Sequence, residues 1–173
     1  MKPIALLFLL FLLGNCGPGP KEKISIYHIY KFDKQVIDKL PVYDSLVVAI
    51  LENAPSLHSN MKEKDSYRSY RYMLYSDSTE LFKKLTAEQA GKINRYFMQL
   101  GKNFFYGFDL FKDSSIKIYI RSSISEKDQV EIKENLSYYP PGTKMSRREF
   151  PAKDTILNKN WQYWIAFDER ELF

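Results

Sequence analysis

Cysteine and histidine are nearly missing from this chain: Cys16 is the one cysteine, and His28 and His58 are the two histidines among 173 residues. No disulfide can form within the chain, and no Cys-x-x-Cys or His-Glu-x-x-His spacing exists to hold zinc. Glycine is sparse too. The seven glycines form neither the Gly-x-Gly-x-x-Gly nor the P-loop pattern that cradles phosphates, and no Gly-x-Ser-x-Gly nucleophile elbow occurs. A dominant charge is also lacking, since 26 Lys and Arg are interspersed with 21 Asp and Glu. A nucleic-acid binder would gather its cations into a stripe or tail, so nucleic acid is excluded as the expected partner. His28 reads as a packed or surface residue of a strand and His58 as a solvated loop residue. No catalytic residue, metal ligand or cofactor site is assigned, and the balance leans against an enzyme.

What the chain does have is an unusual beginning. Met1, Lys2 and Pro3 form a short head with one positive charge, and Ile4 to Leu13 (IALLFLLFLL) carries no polar side chain. As a helix this run would span about 15 Å, half of a hydrocarbon core of about 30 Å. It fits the apolar region of a secretory signal rather than a membrane span, and no A-x-A-like cleavage site follows it. Leu13-Gly14-Asn15-Cys16 resembles the lipobox of bacterial lipoproteins, in which the cysteine receives lipid and becomes the first residue after cleavage. A lone thiol in an exported protein calls for an explanation, and lipidation supplies one.

The resemblance implies that residues 1–15 are a signal peptide that is removed, that Cys16 is the lipid attachment site, and that the chain is held on a bacterial membrane. The outer membrane or periplasmic face is then expected rather than the cytoplasm. One acyl chain binds only marginally, with K about 10⁴ M⁻¹, and a stable hold needs a second; the diacylglyceryl group typical of the family provides it. Gly17-Pro18-Gly19-Pro20-Lys21-Glu22-Lys23 cannot form a helix or central strand, because proline fixes φ and lacks an N–H and glycine is permissive. Residues 16–23 therefore read as a lipidated cysteine and tether, whose last seven residues reach at most about 25 Å.

Residues 24–173 read as one domain. Aromatic residues are plentiful, with 13 Tyr, 12 Phe and 2 Trp, which suits a tyrosine-rich sheet first, and partner surfaces or sugar platforms second. Ile24 to Tyr30 predicts a strand. Phe32 to Leu40 predicts a helical turn stopped by Pro41, and Asp44 is placed to cap a helix through Glu52, closed by Pro55, with Leu46 to Leu51, apolar on every side, a buried strand as the alternative. Ala54 to Asp65 is polar and unpatterned, an exposed loop. Tyr67 to Tyr75 predicts a strand with Tyr70, Tyr72 and Leu74 on one face. Asp77 with Glu80 opens a short helix. Thr86 with Gln89 forms a capping box for a helix that carries Ala90, Ile93, Phe97 and Leu100 on one side and ends at Gly101.

Farther along, Phe104, Tyr106, Phe108 and Leu110 alternate with their neighbours, as do Ile116, Ile118 and Ile120 with Lys117, Tyr119 and Arg121. With Lys112-Asp113-Ser114-Ser115 between them, the pair predicts a hairpin. Ser125 is placed to cap a helix across Glu126 to Leu136, with Gln129 to Ile132 an alternative edge strand. Thr143 to Lys159 reads mostly as loop. Trp161 to Phe167 predicts a last strand with Trp161 and Trp164 on opposite faces.

The sum is a single α+β domain, a mainly antiparallel sheet of about four or five strands with helices packed on one face. Trp164, Tyr70 and Tyr72 are the candidate contacts for a ligand or partner. The leading expectation is a membrane-anchored envelope lipoprotein that, without catalysis, binds a protein partner or has a structural part in an envelope complex. The alternatives are an immunity or inhibitor lipoprotein that neutralises a toxic enzyme, and an envelope hydrolase or glycan binder.

Overall fold

The computed structural model describes residues 30–59, 69–74, 85–125, 130–145, 147 and 152–169. Within them lie α1 (Lys34–Asp38), α2 (Leu40–Glu52), α3 (Ala54–His58), β1 (Ser69–Met73), α4 (Ala87–Leu100), β2 (Gly107–Phe111), β3 (Ile116–Ser125), β4 (Val130–Tyr138), β5 (Ala152–Ile156) and β6 (Trp161–Glu169). The strands form one sheet in the order β1-β2-β3-β4-β6-β5, with every neighbouring pair antiparallel. The fold is α+β. Cys16, the tether, His28, the expected strand Ile24 to Tyr30 and the expected helix start at Asp77 and Glu80 lie outside the described residues.

Period-two burial builds one face of the sheet. Tyr70, Tyr72, Phe108, Leu110, Ile116, Ile118, Leu136, Trp161, Tyr163, Ile165 and Phe167 are all buried, and their cross-strand partners place them on the same side. The helices cover this side. Phe97 of α4 stacks on Phe105 at 4.2 Å and on Tyr72 at 5.4 Å between ring centroids. Such pairs contribute about 0.5–1.5 kcal/mol beyond the burial of the rings themselves. Tyr43 of α2 meets Trp161 at 6.3 Å, and Lys92 of α4 reaches Glu52 of α2 at 2.6 Å.

Helix α4 follows its sequence signals closely. Thr86 accepts from the Gln89 backbone N–H, Gln89 accepts from the Thr86 N–H, and the buried residues are Ala90, Ile93, Phe97 and Leu100. Gly101 closes the helix with φ at +72°, a backbone region that costs little only without a Cβ.

Several boundaries fall elsewhere than the sequence suggests. Pro41 does not stop a helix but sits in the first turn of α2, where its missing N–H has no partner to lose. Asp44 is therefore interior to α2 rather than a cap, and its carboxylate accepts the Trp161 indole N–H at 2.7 Å. Pro55 starts α3 in the same way, so the first part of the expected Ala54–Asp65 loop is helical, with Ala54 and Leu57 buried. His58 ends that helix half-buried, with no hydrogen-bond partner for Nε2 among the described residues. In the expected first strand of the hairpin only Gly107–Phe111 is extended; Phe105 is buried before it and Tyr106 is 39% exposed.

The largest departure is β4. Val130–Tyr138 is a central strand, not a helix capped by Ser125, and it is flanked by β3 and β6. Its polar Glu134, Asn135 and Ser137 are buried, which hides the alternation in the sequence. The expected loop from Thr143 to Lys159 contains β5, an edge strand whose Ala152, Lys153, Asp154 and Thr155 are half-buried. With β5 the sheet reaches six strands, beyond the expected four or five.

Candidate functional site beside a bulged strand

Strand β3 changes character in its middle. From Ile116 to Tyr119 it pairs with β2 on one side and β4 on the other. Strand β2 begins at Gly107, opposite Tyr119, so among the described residues β4 is the strand paired with Arg121 to Ser125. The register shifts at this point. Tyr119 faces Asn135 and Arg121 faces Glu134, which leaves Ile120 as an extra residue. A bulge of this kind bends a strand and re-aims the side chains that follow it.

Simple alternation would put Arg121 on the same side as Lys117 and Tyr119. The bulge instead puts it on the helix-bearing face opposite Glu134. There Arg121 Nε reaches Glu134 Oε1 at 2.6 Å and Nη2 reaches Oε2 at 3.1 Å, a two-pronged pairing that suits a guanidinium. The same Nη2 donates to Asp33 Oδ2 at 2.7 Å, and the Tyr163 hydroxyl donates to Glu134. Burial opposes the Tyr163 phenolate and the Glu134 carboxylate adds to it, so the phenol is held far above its usual range. Burial also works against the ionised form of Asp33, but the hydrogen bonds from Arg121 and the Gln35 N–H outweigh it and hold its carboxyl below the ordinary value. Asp33 also caps α1, accepting from Gln35 N, while Phe32 packs on Tyr163 with ring centroids 4.9 Å apart.

The opposite face of the sheet is polar and aromatic. Arg71 Nε donates to Asp109 Oδ1 at 2.8 Å, and the Tyr119 hydroxyl donates to Asp109 Oδ2 at 2.6 Å. Asp109 is buried beneath an exposed Arg71, with side-chain exposures of 4% and 60%. Burial and the Asp109 hydrogen bond push the Tyr119 phenol well above its usual range. The Lys117 ammonium lies 4.5 Å from the Tyr119 ring and 4.7 Å from the Trp164 ring, within the ~6 Å over which a cation is drawn to a ring face. Farther along this face Lys133 Nζ bridges Asp168 at 2.6 Å and Glu131 at 3.4 Å.

These groups meet at a concavity of about 1190 Å³ beside β3, which Asp33, Arg121, Tyr119, Lys133, Trp164 and the 102–106 turn help to line. Its position follows from the strand lengths: β1 and β2 stop where β3, β4 and β6 continue. The arrangement can offer fixed hydrogen-bonding groups and ring edges to a bound molecule. Among the described residues no group of three or more His, Cys, Asp and Glu is placed to hold a metal. No helix there is long and apolar enough to cross a membrane.

Of the residues singled out in the sequence, Trp164 lines the concavity, 8% exposed, with its indole N–H donating to Ser137 Oγ at 2.9 Å. Its ring is engaged by Lys117 rather than presented as a bare platform. Tyr70 and Tyr72 lie on the other face, 8% and 4% exposed, packed on Phe108 with centroids 6.1 and 5.7 Å away. Arg71 between them is the exposed member. Sequence reasoning missed Asp33, Arg121 and Glu134, because the bulge that unites them leaves no local signature. No family model, curated protein or solved structure matches the chain.

Proposed function

We propose that the protein is a membrane-anchored lipoprotein of the bacterial cell envelope that binds a protein partner and performs no chemistry of its own. The anchor rests on the leader and on Leu13-Gly14-Asn15-Cys16. The observation that carries the binding role is the concavity beside β3, six of whose charged lining side chains are already held by one another. Asp33 and Glu134 share Arg121, and Glu131 and Asp168 share Lys133. Groups fixed in this way lose little freedom when a partner arrives, which favours recognition. Carboxylates each held against a cation are poor candidates for proton transfer. Neutralising a toxic enzyme would be one form of such binding.

Two measurements test the reading. Palmitate labelling and membrane fractionation compare the parent with Cys16→Ser; the parent is labelled and sediments with membranes, and the variant does neither. A photo-reactive residue replacing Tyr106, on the concavity wall, then forms a discrete adduct with an envelope protein in living cells. The same residue replacing Met98, 78% exposed on α4, serves as the control. No adduct at 106, or the same adducts at both positions, overturns the binding role.

A further inference from the structure

Tyr119, Asn135 and Trp164 lie directly across from one another on β3, β4 and β6, so their side chains leave the sheet on the same face. Neighbouring strands are about 4.8 Å apart, and the two large residues therefore rise about 10 Å apart with a short asparagine between them. Together they form a recess in the concavity, walled by Tyr119 and Trp164 and floored by Asn135. Asparagine is disfavoured inside strands, and this one is 1% exposed. Its Nδ2 donates to the Lys133 carbonyl oxygen at 3.0 Å, which fixes the carboxamide and uses one of its N–H groups. Among the described residues Asn135 Oδ1 accepts no hydrogen bond and the second N–H donates none. The fully enclosed side-chain atom without a partner there is His58 Nε2, so Asn135 Oδ1 opens onto the concavity.

Hydrogen-bonding chemistry selects what can enter. The polar tips of both walls are committed, Tyr119 to Asp109 and Trp164 to Ser137, so Asn135 supplies the hydrogen bonds. The Lys117 ammonium lies 4.5 Å from the Tyr119 ring and 4.7 Å from the Trp164 ring, and a second cation would be repelled. A carboxylate brings no hydrogen to Asn135 Oδ1 and sets oxygen against oxygen. An apolar side chain would leave the Asn135 amide unpaired once water is excluded. A carboxamide is neutral and carries both a donor for Oδ1 and an acceptor for the second N–H. We propose that this recess receives the side-chain carboxamide of an asparagine or glutamine of the protein partner. This rests on the binding role proposed above and names the group which that role recognises. An acetamido sugar offers a similar amide but needs a ring face on which to stack, and Lys117 engages both rings here.

The test uses the full chain in detergent micelles and follows the side-chain amide resonances of Asn135 by nitrogen-15 NMR. Capped glutamine, glutamate, norleucine and serine are titrated in turn, and then N-acetylglucosamine. Glutamine is expected to shift those resonances saturably and to bind at least about tenfold more tightly than any of the others, a difference of about 1.4 kcal/mol. Asn135→Asp, which puts a second acceptor where the open N–H stood, is expected to weaken glutamine binding by about tenfold or more; should that variant fail to fold, the series on the parent decides alone. Equal or tighter binding of glutamate, norleucine, serine or the sugar, no saturable shift with any of them, or shifts that bypass Asn135 would each overturn the proposal. An adduct at position 106 that persists alongside such a result would leave the binding role standing and remove carboxamide recognition alone.

Discussion

The two halves of β3 are continuous in sequence and opposite in use. In the first half Ile116 and Ile118 are 1% and 0% exposed, held between β2 and β4 under the helices. In the second half Ser122, Ser123 and Ile124 are exposed, and β4 is the one strand paired with it among the described residues. A single extra residue at Ile120 marks the boundary. The contrast teaches that a strand's role is set by register and by neighbour length as much as by its own residues. The isoleucines of the first half build the core because β2 runs beside them. Ile124 of the second half stays exposed where β2 has already ended.

Mutations can break that contrast, and the deepest cut should come from the first half. Ile118→Ala leaves a cavity between two strands and the helices above, and is expected to lower stability by about 2–5 kcal/mol in urea unfolding. Gly107→Ala strikes the end of β2 that defines the boundary. A Cβ there would lie 2.4 Å from the Tyr72 carbonyl oxygen and 2.7 Å from Met73 Sδ, so β1 and β2 must separate. A loss of about 2–3 kcal/mol is expected, read as a lower melting temperature.

A smaller effect belongs to the bulge cluster. Asp33→Asn keeps a capping side chain but removes the charge beside Arg121, and about 1 kcal/mol is expected at neutral pH. The Asp33 carboxyl sits below its ordinary value of 3.8 in the folded chain. Its contribution is therefore complete above that pH and is lost as the pH falls through the lower folded value. Parent and Asp33→Asn should converge in acid, as followed by unfolding at a series of pH values. A gap that stays constant from neutral pH into acid would show that the charge contributes nothing.

Sequence signals were most legible where one local rule governed one element. The capping box, the four-residue apolar stripe and Gly101 define α4 from end to end, and the alternation of Trp161, Tyr163, Ile165 and Phe167 marks β6. Legibility failed where distant partners decide the outcome. Glu134, Asn135 and Ser137 look like solvent-facing residues until β3 and β6 bury them. Pro41 and Pro55 read as stops because proline at the start and at the end of a helix looks the same in one dimension. Of the site, Trp164 was visible from its spacing to Trp161. Arg121 was not, because a bulge turned it to the face that simple alternation denies it.

The division of labour along β3 is tested most directly by one variant measured twice. Ser122→Lys, on the exposed wall of the concavity and placed in the chain that carries the photo-reactive residue at position 106, is followed by urea unfolding and by adduct formation in cells. An unfolding free energy within about 0.5 kcal/mol of the parent together with loss of the adduct is the result expected of a surface that binds and does not support the fold. An adduct that survives the change, or a stability that falls along with it, would contradict the separation.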